Sequence, residues 1–182
     1  MVPGKHVLYF ALQPPPEAAA EALALANAAR ARHRLSAKPA LPGRLHVSLN
    51  NVGDFKRPPG PVVAKAVEAA ETVSARPFVV RFNRMGSWGV GDGARPLVLW
   101  GDEGVIGVNA LYSTIHKAMS RLDMAPRREA EIVPHMTLLR DTAEAPETSI
   151  EPLSWTVEAF VLVHAVHGEG RYDIAGRFPL NG

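Results

Sequence analysis

Residues 6–12, HVLYFAL, form a continuous apolar run, which predicts a buried strand. Pro14, Pro15 and Pro16 stop it, and Pro16 suits the first turn of a helix, where a missing N–H costs nothing. The alanine-rich stretch that follows predicts a helix over 17–35, because Ala, Leu, Glu and Arg are strong helix formers. Residues 44–52 then alternate: Leu45, Val47 and Leu49 point one way, His46, Ser48 and Asn50 the other. That predicts a half-buried strand. Pro61 opens a second helix over 61–75, and residues 77–84 read as a strand.

A glycine-rich connection separates that strand from PLVLW at 96–100, and together they read as a hairpin with a long tip. A third helix is expected over 104–124, with Leu111, Ile115, Met119 and Leu122 on one stripe. Residues 134–139 alternate a second time: Met136 and Leu138 share one face, His135 and Thr137 the other. Residues 140–153 are polar and broken by proline. One long strand is expected over 154–166 and a last one over 171–180. The pattern therefore holds seven strands and three helices, with no composition break that would separate domains.

Composition narrows the functional classes. The 182 residues include no cysteine, which excludes disulfides, zinc ribbons, iron–sulfur clusters and a thiol nucleophile. No apolar run reaches the length of a membrane span. The prolines that follow the first apolar run do not suit a signal-peptide cleavage site, so a cytoplasmic protein is expected. The net charge of +2 is small, but the arginines cluster. One cluster runs from Arg30 to Arg44, a second holds Arg76, Arg81 and Arg84, and a third holds Arg121, Arg127 and Arg128. Such clusters suit a solvated surface or a groove for a polyanion.

LHVSL at 45–49 and PHMTL at 134–138 are two versions of one pattern, His-x-(Ser/Thr)-Leu, with histidines 89 residues apart. A single His-x-(Ser/Thr) arises readily by chance. Two on alternating strands, spaced by half the chain, suggest two similar halves that face each other. On a strand, His-x-Thr puts an imidazole and a hydroxyl on the same face, about 7 Å apart. Two such strands across a cleft would bring two imidazoles and two hydroxyls to one small volume. One neutral histidine can then take a proton from a nucleophile while a protonated one delivers a proton to a leaving oxygen. The hydroxyls can hold the non-bridging oxygens of a phosphate.

These paired motifs resemble those of the two-histidine (2H) phosphoesterase superfamily, in particular its LigT-like branch of 2′-5′ RNA ligases and RNA 2′,3′-cyclic phosphodiesterases. The resemblance extends to VLYFALQPP at the start, PLVLW in the middle, PHMTLLRD at the second motif and GEGRYDIAGRFPL at the end. It implies an α+β fold of two pseudo-symmetric lobes, each a small, mainly antiparallel sheet with outer helices, and a cleft between them. It implies a single bilobal domain over 1–182, with His46 and His135 as the catalytic pair and Ser48, Thr137 and Arg140 on the phosphate. The implied reaction opens a 2′,3′-cyclic phosphate to a 2′-phosphomonoester, with His135 as base and His46 as acid or the reverse. It needs no cofactor and no metal. The implied partner is RNA or a cyclic nucleotide, with no membrane, and a monomer is expected.

The first motif departs from the family pattern. Ser48 stands for the usual threonine, and Asn50-Asn51-Val52 for a more apolar run. Two other readings follow from the same residues: an enzyme opening a different cyclic phosphate, such as one derived from ADP-ribose, or a nucleotide- or RNA-binding module without turnover. The His164-x-x-His167 pair suits a metal poorly, because positions three apart on a strand face opposite sides. Phe10, Phe55, Trp88 and Trp100 are aromatics that could stack a base, although the core claims most such residues. Arg171 and Tyr172 could reach a substrate from the last loop, or Tyr172 could be structural.

Overall fold

The computed structural model describes residues 4–89, 93–126, 130–169 and 171–182. Gly91 of the expected hairpin tip and the basic pair Arg127 and Arg128 lie outside them. Among these residues eight strands and three α-helices follow one another as β1 His6–Leu12, α1 Pro16–His33, β2 Val47–Phe55, α2 Gly60–Glu71, β3 Phe78–Ser87, β4 Arg95–Trp100, α3 Ile106–Arg121, β5 His135–Asp141, β6 Thr148–Val157, β7 Ala159–Val166 and β8 Arg171–Pro179. All strand pairs are antiparallel, in the order β6-β3-β4-β5-β2-β1-β7-β8.

This sheet has a seam in its middle. β2 and β5 are joined through a single pair, Val47 opposite Met136, whereas every other neighbouring pair shares a longer ladder. The sheet is thus two four-stranded halves, β2-β1-β7-β8 and β5-β4-β3-β6, related by a pseudo-twofold axis through the seam. Contrary to what the motif spacing suggests, the halves do not divide the chain at its middle. Strands β3 to β6 make one half without interruption, and the other joins the first two strands to the last two.

The expected long strand over 154–166 is two strands that break at Glu158 and belong to different halves. The apolar run hides the break because both pieces bury residues of the same kind. β6 also begins earlier than expected, within the proline-broken stretch. As an edge strand it accommodates Pro152, which has no N–H to give a neighbour.

The helices cover one face. α1 starts at Pro16 and packs on β5 and β6 through a stripe of small residues, Ala18, Ala22, Ala26 and Ala29, which lets it approach the sheet closely. It ends at Arg34, in the left-handed region at φ 56°. α3 buries Val108, Leu111, Ile115 and Met119 against β2 and β3. The core beneath the helices is built on Phe10, Phe82, Phe160 and Leu99, all fully buried. At the turn after β4, Gly101 leaves room for the Arg81 carbonyl, which a Cβ at that position would strike. No helix among the described residues is long and apolar enough to cross a membrane.

Candidate functional site

The other face of the seam is open, and the two motifs meet on it. Val47 and Met136 are both fully buried in the core. Alternation therefore sends His46 and Ser48, and His135 and Thr137, to the opposite face. The antiparallel bridge sets the level of each: His46 lies across from Thr137, and Ser48 across from His135. The two imidazoles and two hydroxyls that the sequence singled out thus lie on one face of the seam, on neighbouring strands of one sheet rather than on two walls of a cleft.

Both imidazoles are oriented in the same way. Nδ1 of His46 lies 2.7 Å from the Arg44 carbonyl oxygen, and Nδ1 of His135 lies 2.8 Å from that of Val133. A carbonyl only accepts, so each Nδ1 carries the proton and donates. Nε2 of each ring is left as the reactive nitrogen, an acceptor when the ring is neutral and a donor when it is charged. The carbonyl in each case sits two residues back, where the chain enters the motif.

Each ring is also backed by aromatics. Tyr9 lies 5.3 Å from His46 between ring centroids and Tyr172 lies 6.1 Å away. Trp88 lies 4.8 Å from His135, and Trp100, the cross-strand partner of His135, lies 5.3 Å from Trp88. The phenols stand against one histidine and the indoles against the other. Burial pushes the Tyr9 phenol up, and its neighbour Tyr172 pushes it further. Tyr172 is raised by burial, an effect that Tyr9, Arg44 and Gln13 partly offset. Both phenols therefore stay neutral hydrogen-bonding groups. Tyr172 is in the site, while Tyr9 joins it from the middle of β1 and Gln13 from just past its end; the sequence hides them because they lie in an ordinary buried strand and its turn.

Burial lowers the His46 pKa, the bond to the Arg44 carbonyl partly restores it, and the nearby His135 charge lowers it again. His46 is accordingly biased toward the neutral form near neutrality.

The hydroxyls of Ser48 and Thr137 make no hydrogen bond among the described residues, and Ser48 is exposed. Arg140 is exposed on β5 and has no partner among them either. The carboxylates that could have held it are taken. Asp141 accepts from the Ala37 N–H at 2.6 Å, the Ala143 N–H at 2.9 Å and the Ser36 hydroxyl at 3.2 Å, and Glu144 pairs with Arg95. Those bonds hold the Asp141 carboxyl below the usual carboxylate range, the Ala37 N–H contributing most. Of the other arginines in the sequence clusters, Arg84 is tied to Asp102 and Glu147.

His164 does not pair with His167. Its Nε2 lies 2.8 Å from Nδ1 of His6, which joins β7 to β1 on the helix side of the sheet. No cluster of three or more metal-ligating side chains occurs among the described residues.

No protein-family model matches the chain, and the comparison with curated proteins finds no match. Solved structures do match over its whole length. TT0787 of Thermus thermophilus is 25% identical, with 97% of this chain and 98% of that one covered and a TM-score of 0.75. Apo LigT of E. coli is 24% identical, with 98% and 99% covered and a TM-score of 0.73. The chain has the LigT fold. LigT complexed with 3′-AMP superposes equally well, at 23% identity, 98% and 99% coverage and a TM-score of 0.73. The α+β class with two antiparallel halves agrees with what the resemblance implies, the two expected small sheets being joined here into one open eight-stranded sheet with three helices.

Proposed function

We propose that this protein is a 2H phosphoesterase that opens 2′,3′-cyclic phosphates, on RNA ends or small cyclic nucleotides, to 2′-phosphomonoesters without a metal. One observation carries the reading: two imidazoles, each with Nδ1–H fixed on a carbonyl and Nε2 free, flank two unpartnered hydroxyls across one seam. Fold likeness adds support, since LigT has been crystallised with 3′-AMP and with phosphate.

In this mechanism the cyclic phosphate lies between the imidazoles, its non-bridging oxygens held by Ser48, Thr137 and Arg140. His46, kept neutral by burial, takes a proton from water through Nε2. The water oxygen bonds to phosphorus and the P–O3′ bond breaks. His135, protonated, gives its Nε2 proton to O3′. This order reverses the one that the sequence reading put first. The lowered pKa of His46 supports this order, since a base must be neutral before attack. A ribose 5′-hydroxyl in place of water would give 2′-5′ ligation with the same proton transfers. The protein would work as one bilobal unit in the cytoplasm.

The test is incubation with a 2′,3′-cyclic nucleotide, and with a short RNA ending in a cyclic phosphate, in EDTA. The expected product is the 2′-phosphate, lost in His46→Ala and in His135→Ala. Binding without product would favour the module without turnover, and a strict metal requirement would sink the two-histidine mechanism.

A further inference from the structure

The two motif strands share a feature beyond the His-x-(Ser/Thr) residues. In the β1–β2 ladder Ala11 faces Ser48 and Tyr9 faces Asn51, so a step of two residues on β1 matches a step of three on β2. In the β4–β5 ladder Val98 faces Thr137 and Pro96 faces Arg140, the same two-against-three step. Each motif strand thus bulges straight after its hydroxyl residue. The bulge buries two successive residues, Leu49 and Asn50 in one strand and Leu138 and Leu139 in the other. It then returns the next side chain to the site face.

This register makes Asn51 the pseudo-twofold mate of Arg140. Tyr9 and Ala11 belong to the site-face cluster of the β2 half, and cross-strand partners share a face, so Asn51 stands on that face with Ser48. Both mates are exposed, and neither makes a hydrogen bond among the described residues. Each lies about 7 Å along its strand from the hydroxyl of its own motif. Because β2 and β5 run antiparallel, the mates mark opposite ends of the seam. Arg140 lies beyond the level of His46 and Thr137, and Asn51 beyond the level of Ser48 and His135. One end offers a guanidinium. The other offers a neutral carboxamide, past the ring that Trp88 and Trp100 back.

These ends suit different parts of a nucleotide. A guanidinium suits a second phosphate or the charged oxygens of the first. A carboxamide presents one donor and one acceptor side by side, which matches an adjacent acceptor and donor on a base edge, as on adenine. The distance from Ser48 to Asn51 is the scale that separates a nucleotide's phosphate from its base.

We propose that Asn51 is a specificity residue whose carboxamide reads the base edge of the nucleoside lying at the His135 end of the seam. The proposal rests on the phosphoesterase reading for the position of the phosphate. It adds the base half of the substrate and a base preference.

The experiment measures equilibrium binding of the four 2′-nucleoside monophosphates, and kcat/KM on the four 2′,3′-cyclic nucleotides, for wild type, Asn51→Ala and Asn51→Gln. Wild type is expected to prefer one base over the least favoured by roughly 5- to 150-fold, the discrimination of one bidentate pair. Asn51→Ala should compress that spread to about twofold, and Asn51→Gln should keep part of it by keeping the amide. Equal binding of all four by wild type overturns the proposal, as does a loss in Asn51→Ala that is the same for every base. Nucleotide binding with a spread that depends on Asn51, but no turnover, would uphold the base site while overturning the hydrolase. Binding of no nucleotide would overturn both.

Discussion

Replacing Thr137 by Val removes one oxygen and keeps the branched shape. The Thr137 hydroxyl donates to and accepts from nothing among the described residues, so the folded protein loses no hydrogen bond with it. The cost should fall on the reaction. A hydrogen bond to a charged group is worth about 1.5–3 kcal/mol, and here it would be made to a phosphate whose charge grows in the transition state. That corresponds to a fall in kcat/KM of about 10- to 150-fold. Ser48→Ala makes the matching deletion from the other strand, and Ser48 sits at the level of His135 as Thr137 does at that of His46. The pair should therefore behave alike, and the double variant should lose about as much as the two losses multiplied unless the phosphate shifts. The assay is initial-rate kinetics on a 2′,3′-cyclic nucleotide, run beside thermal melts. A fall of less than about threefold in both variants, with melting unchanged, would refute the placement of the phosphate between the two hydroxyls. A melting point that dropped with the rate would show that the hydroxyl serves the fold.

In the free enzyme the acid limb of kcat/KM should lie below the ordinary histidine value of about 6.5, because His46 must be neutral and burial lowers its pKa. A limb above that value would assign the base to another group. Arg140→Ala should lower kcat/KM by about 10-fold or more, with Arg140→Lys recovering part of it, since a lysine keeps the charge but not the paired donors. Unchanged kinetics would leave Arg140 outside the site. Asp141→Asn should lower the thermal midpoint at pH 7. The carboxyl is held below its unfolded value of about 3.9, so its contribution is present above that pH and fades as pH falls through the folded value. The gap between variant and wild type should therefore close on acidification, and a gap that stayed constant from about pH 7 to about pH 3 would refute this.

The parts of the fold legible in the sequence are those set by local periodicity. The strand at His6–Leu12 and the two motif strands follow from alternation or from a bounded apolar run, and α1 follows from its alanines and Pro16. The division of 154–166 is not legible, because strands of both halves bury the same kind of side chain and Glu158, where they part, is one more polar residue among Ser154, Thr156 and His164. Nor is the way the halves interleave, since it depends on β1 pairing with β7, near the other end of the chain. At the site, His46, His135, Ser48 and Thr137 stand out because their spacing itself produces the face they share. Asn51 does not. Its mate is Arg140, but the equivalence appears only once both ladders show the same bulge, and the sequence offers just Leu49-Asn50 and Leu138-Leu139 as the trace of it. Tyr9 and Gln13 are hidden for a related reason: the sequence shows a buried strand and a turn, while the ladder decides that one side of that strand lies against the imidazole.

The interleaving of the halves also sets an order of assembly on the ribosome. Strands β3 to β6 pair only with one another apart from the bridge at Met136, and all of them are synthesised within residues 78–157. That half can close early, because its pairings, long as β3 with β6 is, span less of the chain than β1 with β7. The half that carries His46 cannot. β1 and β2 emerge first, yet β1 must wait for β7 and β8, and Tyr172 reaches His46 only when β8 is made. Until then the outer edge of β1 is bare, a template for wrong pairing with another chain. The imidazole that needs the most careful burial is therefore the one finished last, and a nascent protein carries the acid long before it has a working base.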